Sequence, residues 1–212
     1  MPNGEAVREK PTNMNANLKT LAIAACLAIG TSSYAQGVFI RPELSFNFVA
    51  LSGSDSNGFK VQDALGYGVA GGTRFGAQEE SEFGLSVAAL KFTLASSITG
   101  ASASGNVKVM PIMANYRYYF GTKSDVARPY FAPSAGWTNI KTNSSVVSGI
   151  TTSSSSSSGN CFTWAAGVGL LVKLDDRLDM DLGYRYIGGL KVRTTNVKMT
   201  VGSIYAGLNF RF

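Results

Sequence analysis

The sequence predicts an all-β protein: eight antiparallel strands, joined up-and-down and closed into a barrel that crosses a membrane, preceded by a cleavable signal peptide. Three observations predict it. Charged residues are only 15% of the 212-residue chain, while glycine reaches 24 residues and aromatics 11%, too little charge for an ordinary water-facing surface. Apolar side chains recur at every second position in eight separate segments, as they do in strands whose two faces meet different environments. Long and short connections alternate between those segments, as an up-and-down meander requires when one end is decorated and the other closed by turns. Past the N-terminus no apolar run approaches the roughly 20 residues of a membrane-crossing helix.

The N-terminus reads as export machinery. From Met14, "MNANLKTLAIAACLAIGTSSYAQG" gives a basic start at Lys19, an apolar stretch from Leu21 to Ile29, and small residues Ser33 and Ala35 at the −3 and −1 positions of a cleavage site. Cleavage is expected after Ala35. Residues 1–13 are polar and include Glu5 and Glu9, which signal n-regions avoid, so they read as a non-native extension. The signal is then 14–35 and the barrel 36–212. Processing leaves Cys161 as the one cysteine, which excludes an intrachain disulfide; it reads as a loop thiol without a role.

The strands follow in order, proposed apolar face first. In 37–50, Val38, Ile40, Pro42, Leu44, Phe46 and Phe48 oppose Arg41, Glu43, Ser45 and Asn47. In 66–76, Tyr67, Val69 and Phe75 oppose Gly68, Gly72 and Arg74; in 82–94, Phe83, Leu85, Val87 and Ala89 oppose Glu82, Gly84 and Ser86. Near Leu90 the alternation slips, which reads as a β-bulge. In 107–120, Met110, Ile112, Ala114, Tyr116, Tyr118 and Phe120 oppose Asn115 and Arg117. The segment 128–139 sets Phe131, Ala135 and Trp137 against small residues, but Pro129 and Pro133 argue against a central strand there. In 162–174, Trp164, Ala166, Val168, Leu170, Val172 and Leu174 oppose Ala165, Gly167, Gly169 and Lys173. In 177–187, Leu178, Met180, Leu182, Tyr184 and Tyr186 oppose Asp179, Asp181, Gly183 and Arg185. Finally "GSIYAGLNFRF" sets Ile204, Ala206, Leu208, Phe210 and Phe212 against Ser203, Tyr205, Gly207, Asn209 and Arg211. Long polar loops are expected at 51–65, 95–106, 140–161 and 188–197, the third low in complexity and mobile in water.

Periodicity alone does not say which face looks outward. The polar face does: it is largely Gly, Ala, Ser and Asn with a few charges of both signs, which fits the narrow interior of an eight-stranded barrel. Charges inside must be paired. Arg41, Arg74, Arg117 and Arg185 facing Glu43, Asp179 and Asp181 are the expected lumen network. Aromatics such as Tyr67, Phe75, Tyr118, Trp137, Trp164 and Phe212 fall near segment ends, where interface girdles lie. Backbone groups are not tolerated unpaired in hydrocarbon, so the sheet must close.

The signal, "RPYFAPSAGW", "DLGYRYIGG" and the alternating final strand together resemble the small outer-membrane β-barrels of the OmpA/OmpX/opacity-protein type. The resemblance covers nearly all of 36–212 and implies integral residence in a bacterial outer membrane, among its lipid and lipopolysaccharide. It also implies that Leu208, Phe210 and Phe212 form the signal read by the barrel-assembly machinery. Unlike full-length OmpA, no globular periplasmic domain is expected.

The chain contains no histidine, which excludes Ser/His and Cys/His nucleophiles and the usual His-containing zinc sites. Asp175, Asp176, Asp179 and Asp181 invite a general acid–base reading, but ion pairing with Arg185 suffices for the last two. "GVAGG" and "AAGVG" are strand glycines with no following helix, so they are not phosphate loops. The net charge of +6 is dispersed, without the basic runs that track nucleic acid. No cofactor, no metal and no enzyme activity are expected. Two readings remain: a barrel anchoring four exposed loops for adhesion, envelope structure or contact with a host or envelope protein, and a narrow porin-like passage for small solutes.

Overall fold

The computed structural model describes residues 37–52, 60–98, 101–148, 151–191 and 198–212. The expected extension, signal and Ala35 cleavage site lie outside the described residues. Nine strands form: β1 (Gly37–Ser52), β2 (Lys60–Gln62), β3 (Ala64–Phe75), β4 (Ser81–Ile98), β5 (Ala101–Tyr119), β6 (Ala127–Ser148), β7 (Thr151–Asp175), β8 (Leu178–Lys191) and β9 (Lys198–Arg211). Short β2 continues the stave of β3 across Asp63, its pairing to β4 offset by one residue. The other eight strands pair with their neighbours antiparallel, β1 with β9 and β4 with β5 included, so the sheet closes on itself. Closure removes every edge except at the ends of the staves, which is the condition for crossing hydrocarbon.

The alternation has the sense the composition requires. Along β1, Ile40, Leu44, Phe46 and Phe48 are exposed, while Phe39, Arg41, Glu43, Ser45 and Asn47 are buried. Around the barrel, Val69, Val168, Leu170, Leu182, Ile204 and Leu208 join the exposed apolar band. Exposed Tyr116, Tyr118, Phe120 and Phe210 ring the short-turn end; Tyr67, Trp137, Phe162, Trp164 and Tyr186 ring the other. Aromatics at both rims of an apolar belt are what two membrane–water interfaces select.

Three sequence expectations are corrected. First, the proline-bearing segment is no edge: β6 is paired along its length to β5 and β7. The lost donors are accommodated by short ladder gaps. Pairing of β5 with β6 is interrupted between Asn115↔Ser134 and Tyr118↔Phe131, beside Pro133; β1 with β9 between Ile40↔Phe210 and Glu43↔Gly207, beside Pro42. Each proline thus forfeits bonds on one side only. Second, β4 does not slip at Leu90. Its register to β5 is the same before and after a gap facing Pro111, and Leu90 and Phe92 continue the inward face. What changes at Leu90 is the chemistry of the interior; the one-residue offset against the neighbouring stave falls just beyond, at Asp63 between Gly66↔Leu90 and Gln62↔Thr93. Further irregularities fall at Lys173/Asp175 and at Ile187/Leu190, the second where Gly189 adopts φ 82°, a conformation suited to glycine.

Third, most of the expected long loops is strand. Residues 95–98 and 101–106 belong to β4 and β5, and 140–148 and 151–161 to β6 and β7, where Ser144↔Ser155 and Val146↔Ser153 pair in register. A hairpin whose register is fixed by a buried barrel can extend by backbone bonds alone, because each added pair closes no new loop. The polarity of the serine run therefore decides its exposure, not its conformation. Cys161 accordingly lies in β7, half-buried against the interior apolar cluster, rather than in a loop.

Candidate functional site

The interior of the barrel has three layers. Nearest the short turns is an ionic layer whose charged residues come from six staves, β1, β3, β4, β5, β8 and β9. Glu82 on β4 lies directly across from Arg74 on β3 and Arg117 on β5. Its carboxylate meets Arg41 Nη1 at 3.0 Å, Arg74 Nε at 3.3 Å and Arg117 Nε at 3.6 Å, and accepts the Tyr119 hydroxyl at 2.6 Å. Asp181 meets Arg117 Nη1 at 2.6 Å and Arg41 Nε at 3.2 Å, and accepts from the Tyr130 hydroxyl. Asp179 bridges Arg74 at 3.2 Å and Arg211 at 3.1 Å and accepts from Asn209 at 3.1 Å. Glu43 pairs separately with Arg185 at 2.7 Å. Guanidinium groups also stack on rings, Arg117 over Tyr130 at 4.5 Å and Arg185 over Tyr205 at 4.8 Å.

Small residues make this layer possible. The Tyr130 and Tyr205 hydroxyls meet at 2.6 Å over Gly183, where a Cβ would stand 2.6 Å from the Tyr205 hydroxyl and 2.8 Å from that of Tyr130. Glycine is needed there for space.

A middle layer is polar but uncharged. Asn47 Nδ2 donates to Ser45 Oγ at 3.0 Å, Asn115 Nδ2 to Ser86 Oγ at 2.9 Å, and Thr163 to Thr138 at 2.7 Å. Beyond it the lumen is apolar: Leu90, Phe92, Val107, Val109, Ile140, Ile187, Leu190, Met199 and Val201 are buried in one cluster.

Of the seven charges expected in the lumen, the structure gathers Arg41, Arg74, Arg117, Asp179 and Asp181 into one connected set and places Glu43 and Arg185 beside it as a pair. Sequence reasoning missed Glu82 as the hub, along with Tyr119, Tyr130, Tyr205, Asn209 and Arg211. The signal lies in the register of three staves, which places Glu82 between Arg74 and Arg117 and which alternation alone does not give. It also missed the apolar layer, which alternation alone cannot distinguish from an outward face. Leu208 and Phe210 face outward, and Phe212, 77% exposed, closes β9 onto β1 by donating its N–H to Val38 O at 2.9 Å. Among the described residues no cluster of three or more His, Cys, Asp or Glu could hold a metal ion.

A closed eight-stave barrel with an apolar belt, aromatic rims and an ion-paired lumen defines an integral outer-membrane β-barrel. The chain belongs to the outer membrane protein beta-barrel domain family, whose family model matches residues 21–212, and it resides in the bacterial outer membrane. Its fold is similar to that of Neisserial surface protein A, at 20% identity over 82% of this chain and 97% of that one with a TM-score of 0.56. It is also similar to Ail of Yersinia pestis, solved with the heparin analogue sucrose octasulfate (18% identity, 83% and 99% covered, TM-score 0.53). OprG of Pseudomonas aeruginosa is a third (16% identity, 84% and 97% covered, TM-score 0.52). No curated protein sequence matches the chain.

Proposed function

We propose that the chain is a non-enzymatic surface-display barrel: a closed, rigid anchor that holds the protruding ends of its strands outside the cell for adhesion, envelope structure or contact with host or envelope components. The observation that carries this reading is the double closure of the lumen. An ion leaving the short-turn end meets a layer of arginines and carboxylates bridged to one another and then the apolar cluster of Phe92, Val109 and Leu190. Entering that apolar layer without a partner is very costly for a charge. The carboxylates of the ionic layer are bound to arginines, so none is left as a free general base. Nor do the small interior residues form a bore: a Cβ at Gly72 would stand 2.6 Å from Gly84 Cα, so that glycine serves close strand approach.

Conductance across a planar bilayer tests the reading. The reconstituted protein should show no steady openings, and Phe92→Ala, which thins the apolar closure and leaves the ionic one, should stay silent as well. Steady wild-type conductance would replace this reading with the porin-like one. The barrel-assembly role of Leu208, Phe210 and Phe212 belongs to the same proposal: Phe212→Ala should lower the assembled fraction in cells while leaving refolding into detergent intact.

A further inference from the structure

The four longest staves, β4 to β7, carry a feature on their outer face that the display reading does not use. Lys91, Lys108 and Lys141 stand in one cross-strand row, Lys91 directly opposite Lys108 and Lys108 directly opposite Lys141. Like charges placed directly across a ladder repel. Lys91 and Lys108 are exposed and Lys141 half-buried, and among the described residues the ion pairs of the protein lie elsewhere. The row therefore calls for an external anion.

Its height in the membrane says which. Four residues nearer the short turns, on the same outer face, run Val87, Ile112, Trp137 and Phe162, paired in register; the Trp137 and Phe162 rings meet edge to face at 6.1 Å. Between the two rows Asn139 donates to Asn160 at 2.8 Å. At about 3.3 Å per residue the lysines sit roughly 13 Å along the strands beyond the aromatic rim, at the level of lipid headgroups. Immediately past them, on the same face, lies a hollow of about 460 Å³ lined by Thr93, Asn106, Asn143, Ser145, Ser154 and Ser156. Its lining offers hydroxyls and amides, the partners of sugar hydroxyls.

We propose that this row and hollow bind the phosphorylated sugar headgroup of an outer-leaflet glycolipid, lipopolysaccharide, with the lysines on its phosphates and the hollow on its sugars. The inference rests on the reading that the long-strand end is the cell-surface end. A lipid is favoured over a soluble anion because the row stands on the same outer face as the apolar belt, four residues past its aromatic rim, so the acyl chains and headgroup of one molecule meet matching surfaces.

Folded protein in phospholipid vesicles, titrated with short-chain lipopolysaccharide, tests it. Wild type should bind at least tenfold more tightly than the triple variant Lys91→Gln/Lys108→Gln/Lys141→Gln, and the preference should shrink as salt rises. Dephosphorylated lipopolysaccharide should bind wild type as weakly as the intact lipid binds the variant. Asn143→Leu, which blocks the hollow, should weaken binding with the lysines intact. All three positions lie outside the interior, and heat-modifiable gel mobility reports retained folding; single Lys→Gln variants serve if the triple one does not fold. Equal binding by wild type and variant, or undiminished binding of dephosphorylated lipid, overturns the proposal. So does sucrose octasulfate competing as well as the lipid itself, since a soluble polyanion would then be the better occupant. Bilayer conductance of the same variants stays silent on the display reading, so failure of that reading would show there and not in the titration.

Discussion

The two ends of the lumen solve the same packing problem with opposite chemistry. Near the short turns, arginines and carboxylates fill the space; near the long-strand end, Leu90, Phe92, Val109, Ile140 and Leu190 fill it. Both are buried to the same degree, Arg41 and Arg74 at 1% and 2% exposed against Phe92 and Val109 at 1% each. Yet burial means different things in them. An apolar layer loses only a little when one methyl is removed, because its contacts are many and interchangeable. The ionic layer is a connected set in which Glu82 alone faces three guanidinium groups, so removing one member strands the rest.

That contrast is sharpest at Glu82. Glu82→Ala should destabilise the barrel by about 3–5 kcal/mol, because it leaves Arg41, Arg74 and Arg117 buried with less than their due of negative charge. Ile140→Val in the apolar layer should cost only about 0.5–1.5 kcal/mol. Urea unfolding of both proteins in phospholipid vesicles measures the pair. If the two variants unfold alike, the ionic layer is not one connected unit.

The next prediction sets inside against outside. Asp181 and Leu182 are neighbours in the chain on opposite faces of β8, Asp181 fully buried in the ionic layer and Leu182 40% exposed in the apolar belt. Leu182→Arg should impair insertion by about 2–4 kcal/mol, as arginine does near the bilayer midplane. The same vesicles report it as a lowered urea midpoint and a smaller heat-modifiable fraction. Tolerance of Arg at Leu182 would mean that this face does not meet lipid.

What the sequence revealed follows from which forces act locally. Strand faces were legible because Leu44 or Leu182 must repeat with period two wherever lipid is the solvent. The interior arginines and aspartates were legible because charge on the small-residue face has nowhere else to go. Glu82 as hub was not, since its role depends on the register that the turn after Phe75 sets between β3 and β4. The apolar layer was hidden for a related reason: beyond Leu90 both faces become interior or interfacial, so Leu90 and Phe92 imitate a register slip. Most misleading was the serine run. Its composition describes what water tolerates, whereas its conformation is inherited from the Trp137–Phe162 register below it.

The smallest effect expected lies in the turns that tie off the ionic end, and it has a defined sign. Between β5 and β6, Asp125 accepts the Thr122 backbone N–H at 2.8 Å through Oδ2 and the Thr122 hydroxyl at 2.9 Å through Oδ1. These bonds, first the backbone one and then the hydroxyl, hold its carboxyl below the usual carboxylate value. A carboxylate depressed in the folded state contributes stability that is present above its ordinary value and is lost as pH falls through the folded one. Acidification through and below the ordinary carboxylate range should therefore speed hydrogen exchange at the Thr122 amide, beyond the intrinsic pH dependence of exchange, while Tyr119 and Tyr130 amides in the adjoining staves keep their protection. Asp125→Asn should abolish that pH dependence and leave the barrel's urea midpoint nearly unchanged, because the group is fully exposed. A turn that loosened together with the staves would instead make the short-turn end a single cooperative unit with the ionic layer above it.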